Sequence, residues 1–241
     1  MFIGIGTPIP VIANLPGPSR PGGGGPFEYT PIDNSFSMEF DGAESYFQGP
    51  DISSLDNASA FSISFWFKPN VLNVSHRIVS KYLDSNNRTT LSLFTTSFSI
   101  NISRNGLRTG TTTYPTENPI PWKHIGIIFD GTKSTNAEKL ICLFNGLPQP
   151  LTFSQGALPS QTADTSGYNF NIGALDATPA GLGILNPVNG KLDEVAVWGG
   201  KALSEDTMKA IYDTTANNPG KVADLSETPE GQPTAWYRMG D

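Results

Sequence analysis

No apolar run in this chain goes far before a glycine, proline or asparagine cluster ends it. The 241 residues include 25 Gly and 20 Pro, a density that favours many short strands and turns over long helices. Residues 61–68 show the pattern. Phe61, Ile63, Phe65 and Phe67 share one face of an extended segment, Trp66 takes the other, and Pro69 stops it. The same reading gives strands at 38–41 (ended by Gly42), 77–82, 90–95, 98–102, 124–130, 139–144, 169–172 and 191–198, with 105–121 as a turn-rich connection. One helix is expected after Ser204. Ser204 is a good N-cap, Glu205 and Asp206 suit the positive helix end, and Leu203 with Met208 can staple across the cap. Many strands, one short helix and no βαβ rhythm predict an all-β, two-sheet antiparallel sandwich. Its core is expected to hold Phe40, Ile63, Phe65, Phe67, Ile125, Ile127, Phe129, Ile141, Leu143, Ile172, Val195 and Val197.

Residues 1–35 stand apart from residues 36–241, the expected sandwich. They contain Pro8, Pro10, Pro16, Pro18, Pro21, Pro26 and Pro31, the run Gly22 to Gly25, and almost no charge. Such a segment can neither form a helix nor bury a core of its own. Yet Phe2, Ile3, Ile5, Ile9, Val11, Ile12 and Leu15 make its first half too apolar for a solvated linker. Residues 1–19 are therefore expected to be an extended arm that docks on a larger assembly, with the glycines as hinge.

Composition excludes several function classes. A net charge of −7 lacks the Lys/Arg field that phosphate binding requires, so neither nucleic acid nor a bare membrane surface is expected as partner. The lone Cys142 lies in an apolar run and reads as a small buried hydrophobe. No stretch reaches the ~18 apolar residues of a membrane span. The apolar start lacks a basic n-region, so no signal peptide is expected. The N-x-S/T sequons at Asn57, Asn73, Asn87 and Asn101 are then incidental.

Four blocks in order resemble the laminin-G-like, concanavalin A-like jelly-roll domains. They are SMEFDGAESYF (37–47), FSISFWFKP (61–69), PWKHIGIIFDG…KLICLFNGLPQ (121–149) and NFNIGA…NGKLDEVAVWGGKALSEDTMKAIYD (169–213). The resemblance implies a lectin-like jelly roll. TAWYRMGD (234–241) further resembles a segment beside such domains in virion proteins of tailed phages, especially marine ones, and the Gly/Pro-rich leader fits that setting.

Because the fold includes glucan hydrolases, catalysis must be weighed. Glu39-Phe40-Asp41-Gly42-Ala43-Glu44 matches the E-x-D-x-(x)-E string of those enzymes. Gly42, however, is the turn of the family's Phe-Asp-Gly motif, so Glu44 should not continue the face of Glu39 and Asp41. Asp193 and Glu194 are adjacent and, on a regular strand, would point to opposite faces. His124 at a strand start reads as structural, and no Ser-His-Asp order, Cys/His metal spacing or phosphate loop is present. No cofactor is expected. The resemblance implies that any structural Ca²⁺ would use Asp193, against the simpler reading that backbone N–H groups satisfy this carboxylate. Tyr82, Tyr114 and Tyr168 lie beside turns, but every jelly roll has such turns, so no residue is assigned to glycan binding, and Trp66, Trp122 and Trp198 match core positions.

The chain is thus expected to be a non-catalytic structural or accessory protein on the outer surface of a virion, made in the host cytoplasm. A head decoration protein is the leading form, anchored to capsid or tail proteins through residues 1–19. The rivals are a tail or fibre adhesin binding a host-surface glycan, and a glucan hydrolase. Homo-oligomerisation is left open.

Overall fold

The computed structural model describes residues 27–239. The arm residues Phe2, Ile3, Ile5, Ile9, Val11, Ile12 and Leu15 and the glycine hinge lie outside them. In chain order the elements are β1 (Pro31–Asp33), β2 (Met38–Asp41), β3 (Phe47–Gln48), β4 (Ala60–Pro69), β5 (Ser75–Asp84), β6 (Asn87–Phe94), β7 (Ser97–Ser103), β8 (Thr109–Thr113) and β9 (Lys123–Asp130). There follow α1 (Asn136–Lys139), β10 (Leu140–Phe144), β11 (Leu147–Gln149), β12 (Thr152–Ser154), β13 (Phe170–Ile172), β14 (Leu175–Asp176), β15 (Ile184–Leu185) and β16 (Asn189–Gly199). α2 (Glu205–Asn217), β17 (Lys221–Ala223) and β18 (Ala235–Tyr237) complete the set.

Two antiparallel sheets face each other as a jelly-roll sandwich. The first runs β11-β10-β9-β4-β16-β18, with β2 also on β16, and the second runs β12-β8-β7-β6-β5-β13-β3. Phe61, Ile63, Phe65 and Phe67 of β4 are fully buried between them, against Ile125, Ile127 and Phe129 of β9 and Leu91, Phe98 and Ile100 of the second sheet. Ten of the twelve expected core residues lie in this cluster; Ile141 and Leu143 do not. In β10 it is Leu140, Cys142 and Phe144 that face inward, and Ile141 and Leu143 face out toward α2. The run LICLF is apolar at every position, so alternation could not choose its face. Both faces are apolar because the helix covers the outer one.

α2 lies on that outer face. Ser204 caps it by accepting the Thr207 N–H at 3.1 Å, and Leu203, Met208 and Ile211 bury against Ile128, Leu143, Ala196 and Trp198. Each large side chain so buried contributes ~1.5–3 kcal/mol. The helix can approach because β9 carries Gly126 here; a Cβ would meet Met208 Cγ at 2.3 Å. α1 is a second helix, unforeseen above. Its signal was present as Thr135-Asn-Ala-Glu138, a capping box in which both reciprocal hydrogen bonds form. β8 was also missed. Thr109, Thr111 and Thr113 share the outer face, and the inner one carries only Gly110, against Leu140 and Phe153, and Thr112, so the strand shows no apolar alternation.

Phe65→Ala should lower the unfolding free energy by about 3–5 kcal/mol in a urea titration. Ile141→Ala, half-buried under the helix, should cost clearly less; equal costs would contradict the inward face assigned to β10.

Candidate functional site

The site begins with a slip in the sheet. β16 pairs with β4 along one side, Asp193 opposite Trp66 and Ala196 opposite Ser64. Glu194 and Val195 therefore share the single partner position of Phe65, and Glu194 takes φ +51°. This is a β-bulge. On its other side β16 changes partner at the same point, from β2 (positions 189–192) to β18 (positions 195–197). The bulge corrects the expectation for the two adjacent carboxylates. Val195 returns to the core, while Asp193 and Glu194 both lie toward the helix-covered face.

The segments next to β2 and β18 hold these acids. Asn34, just after β1, donates to Asp193 Oδ2 at 2.9 Å, and the Glu194 N–H donates to Asp193 Oδ1 at 2.8 Å. Trp236 Nε1 donates to Glu194 Oε2 at 2.6 Å, and Arg238 Nε to Glu194 Oε1 at 3.3 Å. Arg238 also donates to Asp33 O at 2.6 Å and lies over the Trp236 ring. Burial, then the Asp193 charge, outweighs Arg238 and Trp236 and raises the Glu194 carboxyl to about 7.

Beside this pair a cleft of about 180 Å³ opens to solvent, lined by Asn34, Trp66, Trp122, Asp193, Thr215 and Lys221. Trp66 and Trp122 are half-buried and supply apolar wall. Asp193 and Lys221 supply charges of opposite sign, and Asn34 Oδ1 and Thr215 Oγ1 are buried at its margin with no hydrogen-bond partner. Behind Trp66, His124 is buried, accepts or donates one hydrogen bond with Ser64 Oγ at 2.8 Å, and packs near Tyr212. Burial alone holds its pKa down at about 3, so the ring is neutral and structural.

The other candidates separate from this cleft. β2 ends at Asp41 and Gly42 takes φ +76°, so Glu39, Asp41 and Glu44 do not form one strand face. Asp41 Oδ1 accepts from the Ala43, Ser45 and Glu44 N–H groups and from Ser45 Oγ, which holds its carboxyl at about 2; Glu39 pairs with Lys191 at 3.5 Å. Tyr82 and Tyr114 are buried and cannot be sugar platforms; Tyr168 is half-buried. Trp66 and Trp122 were both assigned to the core and instead line the cleft, half-buried, whereas Trp198 is fully buried as expected. Asn101, one of the sequons, is buried and bonded to Thr90 and Thr109.

A Ca²⁺ at Asp193 does not fit these residues. Calcium takes six to eight oxygens, while both Asp193 oxygens already accept protein hydrogen bonds and Lys221 lines the same cleft. Among the described residues no group of three or more His, Cys, Asp and Glu is placed to hold a metal. Nor are the paired carboxylates presented for catalysis. The Glu194 side chain is 5% exposed and its oxygens are engaged by Trp236 and Arg238.

A laminin-G family model, described as the concanavalin A-like lectin/glucanases superfamily, matches residues 41–209. Three solved structures are similar in fold. A heptameric SAP-like pentraxin from Limulus polyphemus has 18% identity and a TM-score of 0.54, covering 83% of this chain and 90% of its own. The carbohydrate-binding module (CBM40) of the Ruminococcus gnavus IT-sialidase, bound to α2,3-sialyllactose, has 13% identity and a TM-score of 0.54, covering 73% and 98%. The NanB sialidase of Streptococcus pneumoniae has 15% identity and a TM-score of 0.54, covering 75% and 28%. No curated protein matches the sequence.

Glu194 makes stability pH-dependent. Its folded pKa lies above the ordinary value, so between pH 4.5 and about 7 the folded protein holds a proton that the unfolded chain releases. Stability should fall across that window as pH rises, by up to roughly 3 kcal/mol. Glu194→Gln keeps an acceptor for Trp236 and cannot titrate. The difference between wild-type and variant melting temperatures should therefore change over this range and be flat above it; a difference constant from pH 4.5 to 8 would refute the assignment.

Proposed function

The chain belongs to the concanavalin A-like lectin/glucanases superfamily, and from that membership we propose that it is a non-catalytic, lectin-like binding protein that takes a sugar ring in the Trp122 cleft. The observation that carries this reading is the composition of the cleft. An indole wall gives a pyranose its apolar face to stack on, and Asp193, Asn34, Thr215 and Lys221 surround it with groups that pair with hydroxyls. Lys221 is already paired with Asp33 at 2.6 Å, so the cleft offers no unpaired cation of its own for an anionic sugar and suits a neutral one. The CBM40 bound to α2,3-sialyllactose supports the reading as a carbohydrate-binding relative in fold.

The wider role follows from the sequence. The apolar arm, the leader and the resemblance of residues 234–241 support a virion accessory protein of a tailed phage: the arm docks on capsid or tail proteins and the sandwich projects from the outer surface. Head decoration is the reading we adopt. The cleft also suits a tail adhesin for a host-surface glycan, and the pentraxin heptamer supports self-association in either setting. Copy number separates the two, hundreds per particle for decoration and a few or a few dozen for a tail.

On a glycan array the intact protein should retain at least one neutral-sugar ligand, and Trp122→Ala should weaken it at least tenfold, equivalent to about 1.4 kcal/mol. Binding unchanged by the substitution would exclude the cleft. Deleting residues 1–20 should leave a folded sandwich with an unchanged melting curve that no longer joins the particle; assembly at normal occupancy would remove the docking role of the arm.

A further inference from the structure

Three of the five arginines among the described residues commit their guanidinium groups to protein acceptors. Arg104 donates to Asn57 Oδ1 at 2.7 Å and Thr162 O at 2.6 Å, Arg108 to Leu107 O at 2.7 Å and Ala157 O at 3.0 Å, and Arg238 to Glu194 and Asp33. The guanidinium groups of the other two, Arg77 and Arg88, make no hydrogen bond or ion pair among the described residues, and each has a buried Nε without an acceptor. Buried polar groups in native proteins are nearly always partnered.

These two arginines lie on one face of the same strand pair. Arg77 opens β5 opposite Ser92, and Arg88 opens β6 opposite Tyr82, so the antiparallel ladder sets them at its two ends on the outer face of the second sheet. Ser80 and Thr90 pair between them, with Asn171 and Asn101 beyond on either side. This floor is polar and buried, and Asn171 Oδ1 also lacks a partner. Burial, and then the charge of Arg88, lowers the proton affinity of Arg77. The carboxylate that most favours the Arg88 charge, Asp84, is engaged by the β5–β6 turn, accepting the Asn86 N–H at 2.7 Å and the Asn87 N–H at 2.9 Å. In a chain of net charge −7, these two half-buried guanidinium groups form no ion pair, and Asp84, the carboxylate near Arg88, is held by its own turn.

We infer that the outer face of the second sheet, between Arg77 and Arg88, binds the carboxylate or sulfate of an acidic saccharide, at a site separate from the Trp122 cleft on the other sheet. A guanidinium presents paired N–H donors in a rigid fork that matches an oxyanion, and charge-assisted bonds of this kind are about twice as strong as neutral ones. Asn171, whose Oδ1 has no partner, supplies an acceptor for a neighbouring hydroxyl, whereas Ser80 is held by Ala174 O and Thr90 and Asn101 bond each other. The saccharide part rests on the lectin-like reading; the oxyanion part rests on the arginines alone.

The test is calorimetric titration of the intact protein with a hexagalacturonate (carboxylate), a heparin hexasaccharide (sulfate) and inorganic sulfate, at low and raised NaCl. At least one oligosaccharide should bind, more weakly as salt rises, and both Arg77→Gln/Arg88→Gln and Arg77→Lys/Arg88→Lys should weaken it tenfold or more. Trp122→Ala should leave that affinity unchanged, so failure here is distinct from failure of the cleft. The lysine pair preserves charge and so remains informative if the glutamine pair does not fold, as judged by its melting curve. The inference is overturned if neither oligosaccharide binds, or if a folded double variant binds as tightly as wild type. Inorganic sulfate binding as tightly as the oligosaccharides would overturn the saccharide assignment.

Discussion

β4 and β16 run side by side through the middle of the first sheet, and the outer surface is organised around the place where their ladder slips. A regular strand has a two-residue period, so two adjacent acids would be split between core and surface. The extra residue at Glu194 breaks that period once. It restores Val195, Val197 and the rest of β16 to the core and leaves both carboxylates on one side. The same slip ends the pairing with β2 and starts that with β18, so the gap between those strands lies over the acids. Asn34 and Arg238 reach in from either side of that gap. A buried carboxylate without such partners would be costly; here the chain that frames the bulge also supplies its donors.

The first sheet is buried on both faces, and its residue types follow from that. Inward, phenylalanine and isoleucine fill the space between the sheets. Outward, α2 lies across Ile128, Leu143, Ala196 and Trp198 and needs Gly126 to come close enough. Where the helix ends, cover gives way to the cleft, and Trp66 spans both environments, one edge near His124 and Tyr212, the other in the cleft wall. The second sheet is different. Its outer face carries serine, threonine, asparagine and two arginines, and residues 174–186 cover its β5 side, through Leu175, Ala177 and Leu185 at Tyr82, the Ala174 carbonyl at Ser80 and the Asn186 carbonyl at the Arg77 N–H. Inward-pointing Lys81 is neutralised at the sandwich edge by Asp51 at 2.9 Å and by Asp56, and it also donates to Thr165 Oγ1 at 2.9 Å. That contrast leaves Arg77 and Arg88 more conspicuous.

The sandwich therefore offers two dissimilar surfaces on opposite sheets: an aromatic-walled cleft with balanced charge, and a polar floor flanked by cations. Such an arrangement suits a binding module, in which a rigid double sheet holds recognition groups. The carboxylates that a glucanase would need are either tied down beneath Trp236 and Arg238 or dispersed around the Asp41 turn.

Much of the fold was legible in the sequence because its main strands alternate and are closed by strong punctuation. Phe61 to Phe67, Pro69, Gly42 and the Ser204 cap each fix a local conformation through sterics or a single hydrogen bond, and those act at short range. β10, with five apolar residues, and β8, with only Gly110 and Thr112 inward and threonine outward, had no such local signal. Their faces depend on α2 and on Leu140 and Phe153, which are distant in sequence. The site was less legible still. Asp193 stood out by residue type, but Trp66 read as core, and nothing local announced a bulge at Glu194, since a positive φ at glutamate is imposed by the pairing of β4 and β16. That Trp122 lines a cleft, that Asn34 and Arg238 converge from either end of the chain, and that Arg77 and Arg88 share one unpartnered surface were decided by tertiary structure alone. Each is a relation between segments far apart in sequence, and only the packed sheets set those distances.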